Sequence, residues 1–175
     1  MILAIDAGFE SMGWALVQPD GAKVIDAGIV RTKRSIKKKG VRVADDDAER
    51  CQILARGLSL LIRGNNVSGV ICEMPSAGAQ GARANRCMGM STAIVASVVE
   101  CTARPAEWVT PNAVKQVAGN LTATKEQIKA AVLRRWPEIA AMLPDQKTLH
   151  EHICDAAAAF MAAENGQLIR VLRGV

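Results

Sequence analysis

Asp6, Glu73, His152 and Asp155 are the side chains of this 175-residue sequence whose types and placement could do phosphate chemistry. Asp6 is the single charge in the apolar opening stretch Met1–Gly8, and Glu73 is the lone acid near the end of a second apolar stretch, Val67–Met74. A carboxylate in such surroundings is costly without a partner. His152 and Asp155 stand three residues apart in a helix-patterned segment, so they share one face. Ala156 to Ala159 follow, small residues that let a helix approach a sheet closely. If the two apolar stretches are neighbouring strands and this helix packs across them, the four side chains converge. Hard divalent ions such as Mg²⁺ take oxygen ligands and keep several waters. Two of them roughly 4 Å apart can activate a water and stabilise the leaving oxygen of a phosphodiester. Each residue also has an ordinary reading: Asp6 as a turn former, Glu73 as a solvated strand end, His152 as a core or surface histidine, Asp155 as the salt-bridge partner of Arg31 or another base. Their joint placement favours the site.

A second cluster is basic. Arg31, Lys33, Arg34, Lys37, Lys38, Lys39 and Arg42 fall within twelve residues that hold no acid. The chain carries 22 basic and 17 acidic residues, net +5; without this segment the balance is 15 against 17. The basicity is therefore a local patch of the kind that attracts polyanions, or else a solvated loop. With no Tyr, two Phe and three Trp, a binder that stacks one base after another is not expected.

The elements that must position these groups can be read from periodicity. Met1–Gly8, Ser11–Pro19 and Ala22–Thr32 read as three strands, the last two joined by the turn former Pro19-Asp20-Gly21. The basic segment follows as a loop. Asp45-Asp46-Asp47 places negative charge at a helix N-terminus, and Cys51, Leu54, Leu58, Leu61 and Ile62 form the helix stripe that ends at Gly64. Val67–Met74 is a fourth strand, Pro75–Gly81 a loop, Ala82–Ala103 a long helix and Glu107–Thr110 a fifth strand. Pro111 opens a short helix, and Thr124-Lys125-Glu126-Gln127 matches a capping box for a helix running to Arg135 or Trp136. A final helix covers Lys147–Glu164, with a short apolar tail. A meander followed by two helix crossovers predicts an α/β fold, a five-stranded mixed sheet of three antiparallel and two parallel strands flanked by helices. No linker splits it, so residues 1–175 are expected to be one domain.

No apolar run is long enough for a membrane span, and the N-terminus has no signal-peptide pattern. Cysteines at 51, 72, 87, 101 and 154 are odd in number and lack C-x-x-C spacing, which points to reduced thiols in a cytoplasmic protein.

The segment ILAIDAGFESMGWALV resembles the opening of the RuvC Holliday-junction resolvases. VICEMPSA is similar to their Glu-bearing strand, PNAVKQVAGNLTATKEQIKAAV to their V-K-Q and Lys-x-Gln stretch, and HICDAAAA to their final helix. The order is kept over nearly the whole chain. The resemblance implies a ribonuclease H-like fold, a homodimer and paired cuts at four-way DNA junctions. It implies Asp6, Glu73, His152 and Asp155 as ligands of two Mg²⁺ or Mn²⁺ ions, and Lys115 and Lys125 as catalytic contacts to phosphates at the cut. Lys115 and Lys125 can equally be solvated helix lysines. Arg31 to Lys33 also match, and the basic run beyond would meet a junction arm. The small-residue helix around Met88–Val99 is the candidate dimer surface, or else a core face.

Two departures stand out. Where the family often carries an aromatic wedge after the catalytic Glu, this chain has Met74, Pro75 and Ser76. Where the final helix often begins its ligand pair with Asp, this chain has His152, a softer ligand that could favour Mn²⁺ or shuttle a proton. Other readings are a ribonuclease H-like nuclease acting on forks, flaps or RNA, and a non-cleaving module for branched nucleic acid. An actin-like ATPase would need two such domains, more than 175 residues supply. Accessory motor proteins are not legible here.

Overall fold

The computed structural model describes residues 1–35, 40–75 and 81–174. Lys37, Lys38, Lys39 and Ser76 lie outside the described residues, as does most of the expected loop 75–81.

Strands β1 (Ile2–Asp6), β2 (Ser11–Val17) and β3 (Val24–Arg31) form the expected antiparallel meander. The β2–β3 turn closes through Gly21, whose φ of +74° suits glycine, while the Asp20 carboxylate accepts the Ala22 amide at 2.9 Å. Strands β4 (Gly69–Glu73) and β5 (Ala106–Val109) join in parallel, giving the order β3-β2-β1-β4-β5. The fold class read from the sequence is the one observed.

Alternation along the strands sends Ile2 and Ala4 to one face and Leu3 and Ile5 to the other, so the sheet separates two cores. Helices α1 (Val43–Gly64) and α2 (Ala82–Cys101) cover the Leu3 and Ile5 face. Helices α3 (Pro111–Gln116), α4 (Lys125–Arg135), α5 (His150–Ala163) and α6 (Gln167–Arg173) contribute to the opposite core. The expected helix from Lys147 begins as a 3₁₀ turn, Lys147–Leu149, and the short apolar tail forms a further helix. Seven residues are too short a window for periodicity, but Leu168 and Ile169 are buried and the Glu107 carboxylate accepts the Leu168 amide at 2.8 Å. Among the described residues no helix is long and apolar enough to cross a membrane, and all five cysteines are free.

The three consecutive acids do more than favour a helix N-terminus. Asp45 is exposed and pairs locally with Arg42, but Asp46 and Asp47 are buried. Asp47 accepts Arg83 Nη2 at 2.9 Å and Arg86 Nη2 at 2.6 Å, with Arg50 Nη1 at 4.0 Å. Arg50 in turn donates to Thr32 Oγ1 at 3.0 Å and lies 4.4 Å over the Phe9 ring. Thr32 Oγ1 donates to the Phe9 carbonyl at 2.8 Å. This brace ties the first turns of α1 and α2 to the end of β3 and to the turn after β1. Arg83 and Arg86 are 34% and 49% exposed and can turn to water, so the charge stranded by Asp47→Ala is the buried Arg50, and the substitution is expected to cost about 1–3 kcal/mol of stability. The urea midpoint should fall with its slope unchanged. A loss below about 1 kcal/mol would mean that Arg50 also reaches water freely, as exposed ions do.

Candidate active site

The site begins with register. In the parallel pair of β1 and β4, Asp6 stands opposite Glu73, each at the C-terminal end of its strand. Both continue the rows that face α5, Asp6 after Ile2 and Ala4, Glu73 after Ile71. On the other side Asp6 pairs with Gly13 of β2. A Cβ at Gly13 would sit 2.0 Å from the His152 carbonyl oxygen, so the bare backbone there is what lets α5 lie against the strand. Ala156 to Ala159 are fully buried in the same approach. The result sets His152 Nδ1 2.8 Å from Asp6 Oδ2.

Asp155, one turn along α5, is 3% exposed and pairs with the ammonium of Lys125. That lysine opens α4, where the capping box expected from the sequence is present: Thr124 Oγ1 accepts the Gln127 amide at 3.3 Å and Gln127 Oε1 accepts the Thr124 amide at 2.8 Å. A cation in the first turn opposes the helix dipole. Asp155 offsets that cost, and the fixed turn holds Lys125 over the site. Lys115 is presented by α3, whose start is capped by Thr110 accepting the Ala113 amide at 3.2 Å.

Asp6, Phe9, Glu73, Met88, Lys115 and Lys125 line a cleft of about 510 Å³. Burial pushes the Glu73 carboxyl up to about 7, with the charges of Asp6 and Asp155 adding to it and Lys125 and Lys115 opposing it. Burial also raises Asp155, against the pull of Lys125. Burial works against the Lys125 charge, but the hydrogen bond and charge of Asp155 overcome it and raise the ammonium. The hydrogen bond to Asp6 raises His152, against the cost of burial. Glu73 and Asp155 thus resist ionisation beside Asp6, the condition under which a site gains most from an added cation.

The four residues singled out as ligands therefore meet, though as two pairs, Asp6 with His152 and Asp155 with Lys125, beside Glu73. Among the described residues no group of three or more His, Cys, Asp or Glu is arranged to hold a metal ion. The base that pairs with Asp155 is Lys125. Arg31 instead donates to Gln146 Oε1 at 3.3 Å. Lys33 and Arg34 are exposed, and Arg42 is engaged by Asp45. On α2 the face bearing Ser91, Val95, Val98 and Val99 is buried against the sheet and α1, the core reading of that helix. Gly89, Ala93, Ala96 and Ser97 remain exposed. Sequence reasoning missed Phe9, Gly13 and Arg50. A glycine inside an apolar strand was the available signal for Gly13.

No family model matches the sequence, and no curated protein matches it. Two solved structures of Thermus thermophilus RuvC are similar. One, in complex with a Holliday junction substrate, has a TM-score of 0.70 at 17% identity, covering 94% of this chain and 95% of that one. The other has a TM-score of 0.65 at 18% identity, covering 95% and 96%. The likeness shows a RuvC-like, ribonuclease H-like fold.

Proposed function

We propose that this protein is a metal-dependent, structure-selective endodeoxyribonuclease that resolves four-way DNA junctions by paired phosphodiester cleavage. The observation that carries the reading is the in-register pair Asp6 and Glu73 at the mouth of an open cleft, with α5 bringing His152 and Asp155 to the same end of the sheet. The similar T. thermophilus protein was captured with a Holliday junction substrate, which supports the substrate class. In this reading residues 1–175 form a single nuclease domain.

The donor set fits Mg²⁺ or Mn²⁺: three carboxylates offer hard oxygen ligands and one imidazole adds a nitrogen. Asp6, Glu73, Asp155 and His152 would hold two such ions. Divalent ions there supply an activated water and charge stabilisation at the leaving oxygen. The chain's own residues do the rest. Lys115 and Lys125, both lining the cleft, bind and orient the scissile phosphate and offset its growing charge. Lys125 also opposes the rise that burial imposes on the Asp155 carboxyl, and Asp6 orients the His152 ring. A two-fold homodimer, meeting along the exposed face of α2, would present two clefts to a near two-fold junction.

The test compares a synthetic four-way junction with a fork, a flap, a linear duplex and an RNA–DNA hybrid, each with Mg²⁺ and with Mn²⁺. The junction is expected to be cut at least about tenfold faster than the others, a difference of about 1.4 kcal/mol at the transition state. Preference for the fork or the hybrid would replace the resolvase reading with that of another nuclease of this fold. Tight junction binding without any cutting would leave a binding module.

A further inference from the structure

A groove of about 350 Å³ adjoins the catalytic cleft, sharing Lys125 with it and lined further by Lys129, Lys147, Thr148 and His150. Lys129 Nζ stands 2.7 Å from His150 Nδ1. An ammonium can only donate, so Nδ1 accepts and the ring proton sits on Nε2. That nitrogen donates to the Pro144 carbonyl at 2.8 Å. The contact holds the half-buried Lys129 ammonium at the groove and leaves two of its three protons for other acceptors. Neither Lys129 nor Lys147 pairs with a carboxylate among the described residues. Glu126 and Glu151 also border the groove, but both are exposed, where water and salt screen them.

A hydrogen-bonded link leads from Thr148 at the groove to β3. Gln146 Nε2 donates to Thr148 Oγ1 at 2.9 Å, and Gln146 Oε1 accepts from Arg31 Nη1 at 3.3 Å. Donors therefore extend from Arg31 at the end of β3, by way of the Gln146–Thr148 link, to the groove that holds Lys147, Lys129 and Lys125. The geometry points to a phosphate track: Lys129 and Lys147 hold backbone phosphates of a nucleic-acid strand that passes from Arg31 into the cleft. This assignment rests on the nuclease reading and adds two residues outside the basic segment to the binding surface.

Equilibrium binding of a labelled synthetic four-way junction, in EDTA and over a range of NaCl, tests it. Each phosphate contact contributes about 0.9 to the slope of log K against log salt. Lys129→Gln with Lys147→Gln should flatten the slope by about 1.8 and weaken binding to every DNA shape alike. Lys129→Arg should keep the wild-type slope, since it keeps the charge. Lys23→Gln, on the remote β2–β3 turn, is the control for a general loss of charge and should keep it too. Wild-type binding with an unchanged slope in the double variant overturns the track alone. A wild-type protein that bound no nucleic acid would overturn the nuclease reading with it.

Discussion

Asp6→Asn is expected to slow cleavage of a four-way junction by about 1,000-fold or more, which is about 4 kcal/mol of lost transition-state stabilisation. The substitution keeps the shape of the side chain and an acceptor oxygen for His152. It removes the charge that stands opposite Glu73 in the β1–β4 register. Binding of junction DNA should change by less than about threefold, because removing one negative charge from a phosphate site does not weaken it. Stability should hold or rise. Asp6 pushes the Glu73 carboxyl up, so its neutral replacement lowers the cost of ionising Glu73 in the folded protein. A single-turnover cleavage assay, a gel shift and a melting curve on the same preparation separate these effects. Loss of cutting together with a lower Tm would point to a merely structural aspartate. Undiminished cutting would take Asp6 out of the chemistry.

Much of this site was legible before any coordinates. Asp6 and Glu73 announced themselves as single acids in apolar strands, a conflict between burial and charge that structural roles rarely require. The capping box at Thr124 fixed the start of α4, and with it the place of Lys125. What stayed hidden depends on long-range partners. Asp47 looks like any acid in a first helical turn, and only the approach of Arg83 and Arg86 from α2 turns it into a buried anchor. His150 and Lys129 lie on different helices, so their contact leaves no spacing in the sequence. Pairing of Asp155 was foreseen as one option, but Lys125 was chosen over Arg31 by the way α4 crosses α5. Local pattern thus carried the elements and the strand-borne acids, while the polar contacts between helices came from packing.

Gly13→Ala tests the packing contact on which the site depends most. The added methyl would lie 2.0 Å from the His152 carbonyl oxygen and 2.3 Å from its carbon. Both are backbone atoms, so no rotamer change can clear them. Either α5 lifts from β2 or the strand bends beneath it, and both moves separate His152 from Asp6. Overpacking of this kind costs about 1–3 kcal/mol. The effect on rate should be larger than the effect on stability, because a displacement of about 1 Å in a catalytic group can cost about 100-fold. Gly64→Ala at the end of α1 is the matched control: its added methyl meets nothing within 4 Å. There the better helix propensity of alanine should leave stability equal or up to about 1 kcal/mol higher, with cleavage unchanged. The decisive measurement is the cleavage rate of Gly13→Ala at a temperature where its melting curve shows it fully folded. A folded variant that cuts at the wild-type rate would show that the seat of α5 on Gly13 does not set the catalytic geometry. A folded variant that is about 100-fold slower and retains junction affinity would place the defect in the alignment of His152 over Asp6.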